Sequence, residues 1–138
     1  MKSWTNLLVT HFSLQRFHTG PVPQSATVDS ASGVVEVVFG GFGSGFEVRN
    51  DGAEGGFEVY GNGAWHSAAI KRSWGSMEAA AAGPTATVAL EGSWPRATHV
   101  RYLWHSTPCT LLNCPIYSDG SYYKLPASPF FAKLLAAR

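Results

Sequence analysis

The sequence predicts a mainly β fold: a single antiparallel β-sandwich, immunoglobulin-like or jelly-roll-like, with a short N-terminal helix. Two observations support this prediction. The 138 residues include 15 Gly and 8 Pro, and turn signals separate short β-branched and aromatic runs at intervals of about 8–12 residues. Charged residues make up only 14% of the chain, whereas about a quarter is typical of soluble domains. This composition fits a β domain with many turns better than a helical bundle.

The N-terminal segment predicts the short helix. Leu7, Leu8 and Phe12 follow helical spacing, and Gly20-Pro21 is a glycine–proline stop signal. We therefore expect the chain to have two parts. Residues 1–19 are a connecting helix or an unrelated leader, and residues 20–138 are the β-sandwich domain.

The same segment lacks the pattern of a clear signal peptide. One Lys precedes a short apolar patch that Asn6 and His11 interrupt, and no small-residue cleavage site follows. The residues alone therefore leave the localisation open.

The strands are predicted from period-two alternation and from runs rich in valine. The predicted strands are Ala26–Val28, Gly33–Phe39, Phe46–Arg49, Gly56–Tyr60, Ala64–Ile70, Thr85–Leu90 and His99–Trp104. The glycine-rich stretch Gly40–Gly45 is predicted to be a hairpin loop. It contains neither a G-x-G-x-x-G nor a Gly-Lys-Ser/Thr pattern, so it does not predict a phosphate site.

The two cysteines lie close together in the sequence. Cys109 and Cys114 flank four residues and are themselves flanked by Pro108 and Pro115. This spacing excludes a C-x-x-C redox motif, and two cysteines alone make a poor zinc site, so no metal site is predicted. We predict a local disulfide between Cys109 and Cys114; the alternative is a pair of buried free thiols.

The sequence offers no recognisable hydrolase site. It has no G-x-S-x-G nucleophile elbow and no Asp-x-x-His pair. Asp29, Asp51 and Asp119 all lie in turn-like contexts. No catalytic residue is therefore assigned, and no cofactor is predicted.

Aromatic residues are the alternative source of function, since rings can stack on the CH face of a sugar. Trp74 and Trp94 stand beside Gly and Pro in predicted turns, so we expect them to be exposed and name them as candidate carbohydrate-binding residues. Trp65 and Trp104, on predicted strands, are expected to belong to the core.

Charge and hydropathy exclude two classes of partner. The formal net charge is +1 and Lys71-Arg72 is the only adjacent pair of basic residues, so nucleic-acid binding is not predicted. No apolar run reaches the roughly 18 residues that a membrane-spanning helix needs. We therefore predict no membrane span.

Three motifs in the last third of the chain occur in a specific order. They are V-R-Y-L-W from Val100, P-C-T-L-L-N-C-P from Pro108 and L-P-A-S-P-F from Leu125. In this order they resemble the C-terminal end of the sialate O-acetylesterase family, whose members remove O-acetyl groups from sialic acids. Upstream, G-V-V-E-V-V-F and G-F-E-V look like strands of the same final β-domain of the family.

The resemblance implies a function without catalysis by this chain. In the family the catalytic residues belong to an α/β hydrolase domain that precedes the β-domain, and no position here matches one of them. We therefore expect a non-catalytic accessory domain, whose partner is an upstream or separate α/β hydrolase domain and whose location is secreted or lysosomal. The alternative is a stand-alone carbohydrate-binding module that uses exposed aromatics. Whether the chain is itself an enzyme stays open.

Overall fold

The computed structural model describes residues 20–41, 45–52, 56–76, 85–104, 114–118 and 125–137. The predicted N-terminal helix lies outside these residues. The described part of the chain consists of strands and the turns between them. In chain order the strands are β1 (Val22–Val28), β2 (Val35–Gly40), β3 (Phe46–Val48), β4 (Phe57–Gly61), β5 (Ala64–Ala68), β6 (Ile70–Ser76), β7 (Thr85–Leu90), β8 (His99–Tyr102), β9 (Ile116–Ser118), β10 (Phe130–Lys133) and β11 (Leu135–Ala136).

The strands form two main sheets and one short ribbon. The five-stranded sheet has the order β11-β1-β2-β7-β6, the four-stranded sheet has the order β10-β8-β4-β5, and β3 pairs with β9. Immunoglobulin strands are labelled A, B, C, C′, D, E, F and G in chain order, and these labels correspond here to β1, β2, β4, β5, β6, β7, β8 and β10. With these labels, and leaving out the short β11, the order of the strands is A-B-E-D in one main sheet and G-F-C-C′ in the other. This is the immunoglobulin-like arrangement. The mainly β sandwich is therefore confirmed, and of the two predicted types the strand order selects the immunoglobulin-like one.

The core lies between the two main sheets. The inward positions of β2 are Val35, Val37 and Phe39, and all three are fully buried. Alternation along the four-stranded sheet buries Phe57, Val59, Val100 and Tyr102 in the same way. Among the described residues, Ser118 is the one buried polar residue. The interior of the sandwich is therefore almost wholly apolar, and burial of apolar surface holds the sheets together.

Tyr102 connects the core to the β3–β9 ribbon. Its hydroxyl accepts a hydrogen bond of 3.1 Å from the backbone N–H of Ile116, at the start of β9. Burial raises the pKa of the Tyr102 hydroxyl well above its usual range. The phenol therefore stays neutral at ordinary pH.

The prediction of one strand from Ala64 to Ile70 is wrong. The chain crosses between sheets at Ala69: β5 belongs to the four-stranded sheet and β6 to the five-stranded sheet. The crossing is held by backbone bonds, since Ile70 N–H donates to the Asp51 carbonyl at 2.7 Å and Glu91 N–H donates to the Ala69 carbonyl at 2.8 Å. The run Ala68-Ala69-Ile70 is apolar throughout, so its sequence gives no sign of the crossing.

The predicted hairpin across the glycine-rich stretch is also wrong. β2 pairs with β1 and β7, whereas β3 pairs with β9. The stretch therefore carries the chain from the five-stranded sheet to the ribbon, although Phe42, Gly43 and Ser44 lie outside the described residues. Strands β9, β10 and β11 were not predicted because they are short and lie in a segment rich in proline.

Candidate functional site

The outer face of the four-stranded sheet carries a group of aromatic side chains. Because side chains alternate along a strand, burial of Phe57 and Val59 on β4 turns Tyr60 outward. Tyr60 lies opposite Trp65 of β5, and Phe131 of β10 occupies an outward position two strands away. Trp104 follows the end of β8. We call Tyr60, Trp65, Trp104 and Phe131 the aromatic face.

Phe131 is the centre of the aromatic face. Its ring centroid lies 5.8 Å from that of Trp65, 5.7 Å from that of Trp104 and 5.4 Å from that of His99. Trp65 in turn contacts Tyr60 at 5.1 Å. Despite these contacts, Phe131 is 50% exposed and Trp104 is 49% exposed. Two rings on one sheet face therefore present apolar surface to solvent while neighbouring rings support them.

Charged groups surround the rings. Arg101 Nε lies 2.6 Å from Glu58 Oε1, and the Arg101 guanidinium lies 3.9 Å from the centre of the Trp65 ring. Both charged side chains are mostly buried, so this pair is better fixed than an ordinary surface ion pair. His99 and Lys133 lie opposite each other on β8 and β10. The outer face therefore combines exposed rings with two cations, one carboxylate and an imidazole.

The structure places the predicted carbohydrate-binding residues in two different regions. Trp74 lies on strand β6, not in a turn, and is 39% exposed on the outer face of the five-stranded sheet. The Arg72 guanidinium lies 4.5 Å from the centre of its ring. Trp94 lies between β7 and β8, where its ring stands 5.0 Å from that of His66 on β5. The two residues do not form one platform.

Trp94 has contacts typical of a structural residue. Its indole N–H donates a 3.1 Å hydrogen bond to the Glu91 carbonyl, and its half-buried ring packs against the core. A shallow cavity of about 210 Å³ beside it is lined by residues of the β4–β5 turn and the β7–β8 loop, Trp94 included. Sugar binding by Trp74 or by Trp94 stays a prediction that the structure does not test.

The expectation that Trp104 belongs to the core is wrong. Strand β8 ends at Tyr102, and Leu103 then adopts a φ of 52°, in the left-handed region. This turn buries the Leu103 side chain in place of Trp104, which points to solvent. Trp65 is half-buried, but on the outer face of the sheet. The sequence does not predict the aromatic face, because Phe131 lies on a strand that the sequence does not predict. The signal that identifies the face is the set of aromatic residues at outward positions on paired strands.

A groove lies where the edges of the two main sheets meet, between β1 and β10. It has a volume of about 550 Å³. Its lining includes Val22, 41% exposed, and Leu135, 58% exposed, together with Phe131. Among the described residues, β11 pairs with β1 only at Thr27 and Val28, so the first half of β1 has a free edge. We call this cavity the edge groove.

The cysteine pair lies partly outside the described residues. Cys114 is half-buried, is not a free thiol, and its backbone N–H donates to the Tyr117 hydroxyl at 3.1 Å. Cys109 lies in the undescribed range 105–113. The pairing of Cys109 with Cys114 therefore stays a prediction.

The disulfide prediction has a direct chemical measurement. Protein matured in an oxidising compartment should resist alkylation by iodoacetamide until it is reduced, and then gain two labels. Reduction should lower the free energy of unfolding by roughly 2–3 kcal/mol, the closure entropy of a short loop less any strain. A Cys109→Ser, Cys114→Ser variant is the control, because a reductant should not change its stability. Two alkylated thiols in the unreduced protein would contradict the pairing.

Two further features are absent from the described ranges. No group of three or more His, Cys, Asp or Glu side chains is arranged to hold a metal ion there. No helix in these ranges has the length and hydropathy needed to cross a membrane.

Comparison with known proteins gives a family and solved structures of similar fold. No curated protein matches the chain. A carbohydrate acetylesterase from Xanthomonas citri has a similar fold, with a TM-score of 0.56 and 23% sequence identity over 83% of this chain. The chain spans only 22% of that structure. Residues 24–134 match the family described as the sialate O-acetylesterase C-terminal domain, and the chain therefore belongs to that family.

Proposed function

We propose that this chain is a non-catalytic C-terminal accessory domain of a carbohydrate esterase of the sialate O-acetylesterase type. The observation that carries the proposal is the family match over residues 24–134. That range includes both main sheets almost completely. The solved acetylesterase with a similar fold supports it, since this chain corresponds to about a fifth of that molecule. A β-sandwich of this size is then one part of a larger enzyme.

The partner in this proposal is an α/β hydrolase domain, and the edge groove is the surface that would contact it. Exposed apolar side chains are the usual core of a protein interface. Five large apolar residues in the described part of the chain are exposed, and Val22, Phe131 and Leu135 all lie at the edge groove. Gly20, the first of the described residues, also lines the groove.

The accessory role predicts association without intrinsic activity. The purified chain should release no acetate from O-acetylated sialic acid above the buffer rate. Added to a sialate O-acetylesterase from which the C-terminal domain has been deleted, it should bind the hydrolase domain and raise its thermal stability. Acetate release by the chain alone that survives repurification, and that one Ser or His substitution abolishes, would contradict the non-catalytic role.

The location of the interface has a matched control. Val22→Asp together with Leu135→Asp places two carboxylates in the edge groove and should weaken binding of the hydrolase domain at least about tenfold, since loss of one interface hot spot costs about 2 kcal/mol. Trp74→Asp changes an exposed aromatic residue on the outer face of the five-stranded sheet and should leave binding unchanged. Equal weakening of hydrolase-domain binding by the double variant and by Trp74→Asp would show that the interface does not lie at the edge groove.

The second candidate function is carbohydrate binding, and the aromatic face favours it. Sugar sites combine exposed rings with a few fixed polar groups, and this face has half-exposed Trp104 and Phe131 beside the Arg101–Glu58 pair. The two functions are compatible, because an accessory domain can hold the substrate near a catalytic domain.

A further inference from the structure

We propose that the edge groove accepts an extended segment of the hydrolase domain, which adds a strand to the free edge of β10 and places an acidic side chain beside Lys133. The inference rests on the accessory role proposed above and deepens it, since it names the conformation and the charge of the partner segment. Addition of a strand to an exposed sheet edge is a recurring mode of peptide recognition.

The backbone of β10 has hydrogen-bonding groups that its own sheet does not use. Among the described strands, β10 is the last of the four-stranded sheet and pairs there with β8 alone. The Leu134 N–H donates to the Thr98 carbonyl at 2.8 Å, and alternation along an antiparallel ladder then directs the backbone groups of Ala132 to β8 as well. The backbone groups of Phe131 and Lys133 therefore point away from β8, toward the edge groove that both residues line.

Two other sheet edges have features that oppose strand addition. Strand β6 has a bulge between Ile70 and Arg72, and a bulge disrupts the ladder that a new strand must match. Across the groove from β10, Pro23 of β1 and Pro21 before it have no backbone N–H. Strand β10 contains neither a proline nor a bulge. An added strand therefore pairs with β10 and covers β1 with its side chains.

The groove offers apolar surface to the side chains of an added strand. Val22 of β1, Phe131 of β10 and Leu135 of β11 all line it and are exposed. Because side chains alternate along a strand, every second residue of the added segment enters the groove. The remaining residues lie beside Phe131 on the outer face of the four-stranded sheet. The segment that fits is therefore extended and apolar at alternate positions.

Charge selects the occupant of the groove. Among the described residues that line it, Lys133 is the one charged side chain, and it is exposed. Opposite charges on neighbouring strands stabilise the pairing, and like charges oppose it. Residues 1–19 of this chain contain Lys2 and Arg16 but no Asp or Glu, and a second copy of β10 brings another Lys133. Neither supplies a carboxylate, so the charge favours an acidic segment of the partner domain.

The first experiment is amide hydrogen exchange on the full ¹⁵N-labelled chain, alone and with a sialate O-acetylesterase from which the C-terminal domain has been deleted. In the chain alone, the Phe131 and Lys133 amides should exchange at least about tenfold faster than the Ala132 amide, which is bonded to β8. The hydrolase domain should slow both of them at least about tenfold. Slow exchange of both amides in the chain alone would overturn the proposal, because this chain or a second copy would then occupy the edge.

The second experiment separates the backbone from the side chain. Lys133→Gln removes the charge, keeps the N–H, and should weaken binding of the hydrolase domain about two- to fivefold, the range for an exposed ion pair. Lys133→Pro also removes the N–H that faces the groove and should weaken binding at least about tenfold more than Lys133→Gln. Its thermal stability should stay close to that of Lys133→Gln, since this N–H is not bonded to β8.

Failure of this proposal is distinguishable from failure of the accessory role. If Val22→Asp with Leu135→Asp weakens binding but Lys133→Pro binds as tightly as Lys133→Gln, the groove is an interface of side chains and the strand addition is wrong. Unchanged binding by Lys133→Gln would remove the acidic contact from the proposal and contradict it in that respect. Absence of any binding of the hydrolase domain to the unchanged chain would overturn both the accessory role and the strand addition.

Discussion

Tyr102→Ala is expected to lower the free energy of unfolding by about 3–5 kcal/mol, the cost of removing a large aromatic side chain from a packed core. Tyr102 is fully buried. Its ring centroid lies 4.8 Å from that of Phe57 and 5.6 Å from that of Phe130, so three strands meet at this side chain. Since a domain is stable by only about 5–15 kcal/mol in total, this variant should be largely unfolded in mild urea.

Tyr102→Phe separates the packing from the hydrogen bond. This variant keeps the ring and removes the hydroxyl that accepts from the Ile116 N–H at 3.1 Å. Leaving that buried donor without an acceptor should cost about 1–3 kcal/mol. Urea unfolding followed by tryptophan fluorescence measures both variants. If the Phe variant loses as much stability as the Ala variant, the hydrogen bond to β9 and not the ring contacts holds this part of the core.

The sequence predicts the parts of the fold that depend on local pattern. Strand β7 has the predicted bounds, Thr85 to Leu90. The turn at Asn62-Gly63 also depends on local sequence: both residues have positive φ, 54° and 80°, and they close the hairpin between β4 and β5. A two-residue Asn-Gly loop has this geometry because its twist matches that of the flanking strands.

Pairing between distant segments is the part that local pattern does not predict. Strand β9 spans three residues and β11 spans two, and each exists only because a partner strand supplies its hydrogen bonds. The crossing at Ala69 depends on contacts with Asp51 and Glu91, which are remote in sequence. A short segment without alternation contains too little information to indicate which sheet it joins.

The sequence does not reveal the aromatic face for the same reason. Exposure of Trp74 and Trp94 was inferred from neighbouring Gly and Pro residues, which describe the local turn and not the surface that forms after folding. The aromatic face requires the register that places Tyr60 opposite Trp65 and Phe131 opposite Arg101. These residues come from three parts of the chain that only the paired strands bring together.

Gly33→Ala is the second substitution with a large expected effect. Gly33 has a φ of +76°, in the left-handed region that costs other residues about 1–2 kcal/mol. A Cβ at this position would also lie 2.5 Å from the backbone nitrogen of Trp94 and 2.8 Å from a ring carbon of Pro95. The Trp94 N–H donates to the Gly33 carbonyl at 2.7 Å. This hydrogen bond holds the two backbone segments together, so they cannot easily move apart to make room for the added Cβ. We expect a loss of about 3 kcal/mol or more.

Gly63→Ala is the matched control for this clash. Gly63 has a nearly identical φ of +80°, but a Cβ there would meet nothing within 4 Å. Its loss should therefore be the conformational cost alone, about 1–2 kcal/mol. The difference between the two variants in urea unfolding measures the contact between the β1–β2 turn and the β7–β8 loop. Equal losses of stability in the two variants would show that the β7–β8 loop moves away from the added Cβ at no energetic cost. This end of the sandwich would then not be held by the Gly33–Trp94 contact.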